Sequence, residues 1–380
     1  MTKKGKHTIC IHEGEIKDTQ FGGAVSPIFM ASSYEYLDAD PMRYPRYFNT
    51  PNQEVLGKKI AALENAEAGL PFASGMAAIS TTLLAFLSKG DHIVLTNEIY
   101  GGAFNFVVEE FDKMGIEYSF TNGVGVDDFE EKIKANTKVI YIETPSNPLL
   151  TITDVKAVAN LAKKHGLVSM IDNTFASPIN LTPLDFGIDI SMHSATKYLG
   201  GHSDILAGLV AGSTEHINTI FQKGKNLGGN LSHMISYLLE RSIKTLAIRV
   251  EKHNSNAQTI AEHLEKHSAI AKVYYPGLES HPNHNTAKAQ MHGFGGMLSF
   301  ELRKGLDAAE FQKKLKLVKP SLSLAGVEST ILQPSLTSHA LLTPEQRKAV
   351  GISDSLLRFS VGIENVDDII GDVEQALKLI

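Results

Sequence analysis

The stretch Lys138–Asp172, KVIYIETPSNPLLTITDVKAVANLAKKHGLVSMID, decides the fold. Its first six residues, Lys138 to Glu143, read as a short strand rich in apolar and β-branched side chains. Asp154 opens a helix in which Val155, Val158, Ala159 and Ala162 share a face, and Gly166 stops it. A second apolar run, Leu167-Val168-Ser169-Met170-Ile171, follows at once and is closed by Asp172. Strand, helix and strand in that order make a βαβ unit, so an α/β fold with a mostly parallel sheet is expected. Outward from it, His92 to Thr96 and Ile188 to Met192 read as further strands. Ligands of such sheets collect at the carboxyl ends of the strands, and Glu143, Asp172 and Ser194 all stand at strand ends.

Just past the last of these strands runs Ser194-Ala195-Thr196-Lys197-Tyr198-Leu199-Gly200-Gly201-His202. Desolvation there would lower the pKa of the Lys197 ammonium, and a free amine forms an imine with a carbonyl compound. The hydroxyls of Ser194 and Thr196 suit an anion such as a phosphate. Aldehyde and phosphate together describe pyridoxal phosphate. A solvated lysine at a strand end is the plainer reading, and Asp172 weighs against it. An acid at the tip of a buried strand is costly without a partner, and a protonated pyridine nitrogen is one. The plainer reading of Asp172 is a turn or cap acid ahead of Asn173 and Thr174. Ala73-Ser74-Gly75-Met76-Ala77-Ala78 opens an apolar helix with a small turn, where backbone amides and the helix dipole favour a phosphate.

The chain has 380 residues, a formal charge of -6, 43% apolar and 21% charged residues, the make-up of a globular protein of more than one domain. Nothing in that balance points to nucleic acid or a membrane surface. The single cysteine, Cys10, excludes an internal disulfide framework and suggests a reducing compartment. With no signal peptide and no membrane-length apolar run in the sequence, a cytoplasmic location is expected. No dinucleotide fingerprint or P-loop spacing occurs. The histidines from His281 to His292 lack a cysteine or acid framework, so solvated loop histidines are expected and no metal.

Three regions are expected: an N-terminal arm over 1–50, a cofactor-binding domain over 51–230 and a smaller α+β domain over 231–380. The arm has turn formers and aromatics with little periodicity, as in Phe21-Gly22-Gly23, Tyr34, Tyr36, Tyr44 and Tyr47. Thr50, Pro51 and Gln53 then mark a clean helix start, with Leu56, Ile60 and Leu63 on its apolar face. One long helical stretch, Met234 to Glu265, leads into the smaller domain. Strands there are expected at Met297 to Leu302 and Leu356 to Ile363. In the second, Leu357, Phe359 and Val361 face one way, and Arg358 faces the other with Ser360 and Gly362. Arg358 is then either an edge residue or a carboxylate fork.

Over nearly its full length the chain resembles the Cys/Met-metabolism pyridoxal-phosphate enzymes. The resemblance is carried by Ala73-Ser74-Gly75-Met76, Tyr100-Gly101-Gly102, Glu143 to Pro148, Asp172-Asn173-Thr174-Phe175, Ser194 to Asp204 and Leu357 to Gly362. It implies the fold-type I architecture, a mostly parallel mixed sheet in the large domain with a smaller α+β domain. It implies that Lys197 holds the cofactor and shuttles protons, Asp172 pairs with the pyridine nitrogen, and Gly75, Met76, Ser194 and Thr196 bind the phosphate. Tyr100 would stack on the ring and assist proton transfer. Asn147, Ser323 and Arg358 would orient the cofactor hydroxyl and the amino-acid carboxylate. Tyr44 and Arg46 would reach the phosphate of a neighbouring subunit, making the chain a homo-oligomer, usually a dimer of dimers.

The implied chemistry is carbon–sulfur elimination or γ-replacement on cystathionine or homoserine-ester substrates, as in cystathionine γ-synthase and γ-lyase. Methionine γ-lyase, cystathionine β-lyase, O-acetylhomoserine sulfhydrylase and, more remotely, an aminotransferase are the alternatives. Where the resemblance implies Tyr-Ser-Arg-x-x-Asn-Pro-Thr, the chain has Tyr44-Pro45-Arg46-Tyr47-Phe48-Asn49-Thr50-Pro51, which keeps the Tyr44–Arg46 spacing. Asn105 stands where many cystathionine-handling members carry arginine. Leu322 stands where γ-specific ones tend to carry glutamate, and Gly102 where methionine γ-lyases typically carry cysteine.

Overall fold

A computed structural model describes residues 4–337, Thr343, Arg347 and 351–380. It divides into two compact units, Met1–Glu143 with Thr153–Ala247, and Thr144–Ile152 with Ile248–Ile380. The division thus falls at 247/248 where 230/231 is expected, because the helix His233–Ile243 packs on the helix Pro51–Leu63. The short segment 144–152 goes with the second unit.

Among the described residues the first unit holds a seven-stranded sheet. Its strands are β1 (Ala68–Phe72), β2 (His92–Leu95), β3 (Glu117–Phe120), β4 (Thr137–Glu143), β5 (Val168–Asp172), β6 (Ile190–Ser194) and β7 (Gly208–Gly212). The order is β1-β7-β6-β5-β4-β2-β3. From β3 to β6 all pairings are parallel, while β7 runs antiparallel to both β6 and β1. This is the mostly parallel mixed sheet that the βαβ unit implies. Helices Gly75–Phe86, Val155–His165 and Pro51–Leu63 pack on it, so its strands read as near-continuous apolar runs. The parallel register sets Glu143 beside Asp172 and Asp172 beside Met192. The carboxyl ends of β4 and β5 are therefore level, and β6 runs two residues further, to Ser194.

Three local expectations need correction. The strand expected at Ile188–Met192 is shifted to Ile190–Ser194. Asp189 leaves the ladder because its carboxylate accepts from the Ser169 backbone N and Oγ, at 2.8 and 2.6 Å. The helical stretch from Met234 is two helices, His233–Ile243 and Leu246–Glu265. They part at Thr245, whose Oγ1 donates back to the Ser242 carbonyl at 3.2 Å. The N-terminal region contains a helix, Lys6–His12, that periodicity does not reveal in seven residues. It is held from outside: buried Lys59 donates to the carbonyls of Cys10 and Ile11 at 3.0 and 3.3 Å. Much of the chain between Phe21 and Tyr44 has no regular structure, with Phe21, Met30, Tyr36, Leu37 and Met42 exposed.

The second unit has a five-stranded sheet of order β10-β11-β12-β9-β8 among the described residues. Its strands are β8 (Ile270–Tyr274), β9 (Met297–Leu302), β10 (Lys319–Pro320), β11 (Thr330–Leu332) and β12 (Leu356–Ser360). The β12 strand is thus interior, paired antiparallel with both β11 and β9. Phe300 packs edge-on against Phe311. The Asp372 carboxylate on the helix Val366–Leu377 accepts from the backbone N of Lys316, Leu317 and Val318 at 2.8–2.9 Å, fixing the approach to β10.

The helix start at Thr50 and Pro51 is as expected, and Gln53 does more than cap it. Its Oε1 accepts from Thr50 N at 3.1 Å, and its Nε2 donates to the carbonyls of Pro45 and Leu231. Gln53→Ala, which removes these bonds from a buried site, is expected to lower unfolding stability by about 2–3 kcal/mol. Urea denaturation measures this, and a loss well under 1 kcal/mol would contradict it.

Candidate active site

In the first unit the level strand ends gather the expected cofactor residues. Asp172 closes β5, and its side chain shares a face with Glu143 and Met192. Glu143 is buried and accepts from Tyr100 N at 2.6 Å, which fixes the start of the helix Gly101–Met114. Three residues beyond β6, Lys197 N donates to Ser194 O at 3.1 Å, and the Lys197 carbonyl accepts from Gly201 N at 2.7 Å. Lys197 thereby sits half-buried in a tight turn.

The helix Gly75–Phe86 begins against this turn. Ser74 caps it, accepting from Ala77 N at 3.0 Å. The amides of Gly75 and Met76 have no acceptor within the helix, the usual state of a first turn. A Cβ on Gly75 would lie 2.8 Å from Ser194 Cβ and 2.9 Å from its Oγ, so only glycine allows this approach. Tyr100, Gly102 and Met76 also meet: a Cβ on Gly102 would lie 2.5 Å from the Tyr100 ring and 3.1 Å from Met76 Sδ. Thr196 departs from the expected pattern. Its Oγ1 donates to the Ala207 carbonyl and accepts from Ala207 N, at 3.2 and 3.1 Å, so its hydroxyl proton is engaged by backbone.

Tyr44 and Arg46 make their contacts elsewhere. Arg46 donates to the Lys225 carbonyl at 2.7 Å and lies over the rings of Tyr44 and Tyr47, and both Tyr44 and Arg46 are exposed.

The second unit joins Asn147, Ser323 and Arg358. Arg358 is 5% exposed in interior β12, so the edge reading is set aside. Its Nη1 donates to Asn147 Oδ1 at 3.1 Å and its Nη2 to the Ser323 carbonyl at 3.0 Å, while its buried Nε has no partner. No described acid pairs with it. Burial lowers its pKa to about 10, which leaves it charged at neutral pH. Ser323 holds Arg358 through its backbone carbonyl. Two residues not singled out from sequence support the group. Ser299, opposite Arg358 on β9, donates to the Pro148 carbonyl at 2.7 Å. Ser360 accepts from Ala325 N at 2.7 Å and holds the loop that carries Ser323. The alternation of β12 puts Ser360 on the Arg358 face, a signal available in the sequence.

His281 is buried, not solvated as expected. Desolvation lowers its pKa to about 4, and its Nδ1 accepts from Asn283 N at 3.2 Å.

The sequence profile of the Cys/Met-metabolism PLP-dependent enzymes matches residues 7–378. Over 376 residues the chain is 43% identical to a cystathionine γ-lyase of Bacillus subtilis, covering 98% of this chain and 99% of the relative. It is also 43% identical over 374 residues to a cystathionine β-lyase of Lactococcus lactis subsp. cremoris, covering 98% of each. The crystal structure of a cystathionine γ-lyase from Lactobacillus plantarum, complexed with L-serine, superposes with a TM-score of 0.95 at 40% identity, over 99% of each chain. The chain belongs to the Cys/Met-metabolism PLP-dependent enzyme family and has its fold.

The residues of the first unit fit pyridoxal phosphate. Asp172 is 5% exposed, and its one recorded hydrogen-bond partner is Thr174, with Thr174 N at 3.0 Å from Oδ1. It makes no ion pair with a described cation, so a ring N–H⁺ supplies what it lacks. Burial pushes its carboxyl pKa up, partly offset by the bonds from Thr174. The folded, cofactor-free protein thus holds this proton more tightly than the unfolded chain does. Its stability falls as pH rises from the unfolded value, about 4, through the raised folded value, and then levels off. Asp172→Asn removes that loss. The cofactor-free variant is expected to melt above the cofactor-free parent at neutral pH, with the gap closing below about pH 4. Equal melting at neutral pH would contradict the assignment of strain to this carboxylate.

Proposed function

We propose that this member of the Cys/Met-metabolism family is a carbon–sulfur lyase of trans-sulfuration, acting by γ-elimination on cystathionine-type amino acids. The same residues would support γ-replacement on homoserine esters. The observation that carries the reading is Arg358, a buried cation with no acidic partner among the described residues and an unpaired Nε, inside an interior strand. Removing a charge from water is costly, and a substrate carboxylate offsets that cost with a two-pronged, charge-assisted contact.

Bound pyridoxal phosphate supplies the electron sink that stabilises negative charge at the substrate Cα. Lys197 Nζ holds the cofactor and moves the substrate protons. Asp172 keeps the ring nitrogen protonated. The amides of Gly75 and Met76 with the Ser194 hydroxyl bind the phosphate, and Thr196 joins them if its hydroxyl turns from Ala207. Tyr100 stacks on the ring, and its hydroxyl delivers a proton to the departing sulfur. Arg358 binds the α-carboxylate, with Asn147 and Ser323 orienting it. The exposed apolar arm from Phe21 to Tyr44 suits docking on a second copy, where Tyr44 and Arg46 would reach the partner's phosphate. A dimer of dimers in the cytoplasm completes the reading.

Substrate choice rests on the departures. Asn105 and Leu322 are exposed and carry no charge, so neither position adds a contact that selects the distal end of cystathionine over a homoserine ester. A Cβ at position 102 would meet the Tyr100 ring, so the cysteine typical of methionine γ-lyases would need a shifted ring here.

With cystathionine, the loaded enzyme is expected to release cysteine, 2-oxobutyrate and ammonia, and Lys197→Ala to release none. Pyruvate with homocysteine would mark β-elimination instead. A keto acid formed without thiol would mark an aminotransferase and overturn the reading. Gly102→Cys is expected to displace the Tyr100 ring and lower kcat by about tenfold or more, since misplacing a positioned group costs rate. Unchanged steady-state kinetics would contradict the role given to the ring.

A further inference from the structure

Behind the strand ends, on the face of the sheet opposite Asp172, lies a buried polar cluster that the proposed chemistry leaves unused. Glu64, just past the helix Pro51–Leu63, and His193 on β6 are both buried, with Glu64 fully so. His193 Nε2 stands 2.5 Å from Glu64 Oε1. The same oxygen accepts from Asn173 Nδ2 and Ser191 Oγ, each at 3.0 Å. Glu64 Oε2 is buried without a partner, as is Asn173 Oδ1.

A carboxylate so enclosed is costly unless a cation faces it. His193 is the basic residue in contact with it, and the 2.5 Å contact is the shortest that the carboxylate makes. The placement of its partners matters more than the pair itself. Asn173 is the residue after Asp172, and His193 is the residue before Ser194. Strand alternation turns Ser191 and His193 toward Glu64, and Met192 to the face of Asp172. Glu64 therefore grips the ends of β5 and β6 from the rear, one residue from each cofactor contact. The backbone agrees, with Asn173 N donating to the Met192 carbonyl at 2.9 Å. A charge on His193 would act on Asp172 in the direction that favours its carboxylate form.

We propose that Glu64 and His193 are positioning residues, a buried acid–imidazole pair that braces Asp172 and Ser194 from the opposite face of the sheet. The proposal rests on the reading of Asp172 as the partner of the cofactor ring nitrogen. A pair kept only for stability would affect melting and leave cofactor binding alone. A pair that positions the anchor changes the affinity for pyridoxal phosphate and the absorption of the bound cofactor, and does so through Asp172.

The test titrates cofactor-free protein with pyridoxal phosphate, following visible absorption and melting temperature. Glu64→Gln, which keeps the size and loses the charge, is expected to weaken binding about tenfold, the change that one pKa unit of differential interaction gives. It is also expected to shift the bound-cofactor spectrum. In an Asp172→Asn background the same substitution is expected to change affinity by less than about twofold, because the charge it acts on is gone. If Glu64→Gln does not fold, His193→Gln keeps a donor toward Glu64 and reads the same effect. Affinity and spectrum equal to the parent's, with only melting lowered, would overturn the proposal. So would an undiminished effect in the Asp172→Asn background. A parent protein that does not bind pyridoxal phosphate at all would instead overturn the cofactor reading, so the two failures are told apart.

Discussion

Two buried charges without ionic partners govern this protein: the Asp172 carboxyl at the end of β5 and the Arg358 guanidinium within β12. Each costs stability on its own, because neither makes an ion pair with a described group. Such a cost is kept where a ligand brings the missing charge. In the proposed function a pyridinium proton would answer the first and an amino-acid carboxylate the second. The surrounding elements keep these charges dry and fixed. The parallel register levels Glu143, Asp172 and Met192, and the antiparallel pairing sets Ser299 opposite Arg358.

Much of this was legible in the chain because it depends on local rules. A capped helix between two apolar runs, ending on an acid, left little choice but a parallel sheet with Asp172 at its carboxyl edge. Arg358 was visible as a charge in an apolar alternation, but its meaning depended on whether β12 was an edge. That is a matter of long-range pairing with β9 and β11, which spacing does not encode. The same limit hid the helix Lys6–His12, which is fastened by a lysine some 50 residues away in sequence. It also hid the Glu64 cluster, assembled from four separate sequence positions. The Ile188–Met192 strand slipped by two residues because the Asp189 side chain competes for backbone donors, a local rivalry that hydrophobicity does not register.

Substrate choice belongs to a different layer. The groups that hold cofactor and carboxylate come from strand ends and helix starts. The positions that depart from the family pattern, Asn105 and Leu322, are exposed on a helix flank and a loop. In the proposed function the rigid elements would carry the chemistry, and these exposed positions its selectivity. Gly102 is the exception, since its lack of a Cβ admits the Tyr100 ring and so links helix packing directly to the reacting side of the site.

The central claim is that Lys197, three residues beyond β6, is the residue that carries the cofactor. Borohydride reduction of the loaded protein followed by peptide mapping tests it most directly. A single pyridoxyl-modified peptide containing Lys197 is the predicted result. Modification at another lysine, or none, would contradict the account.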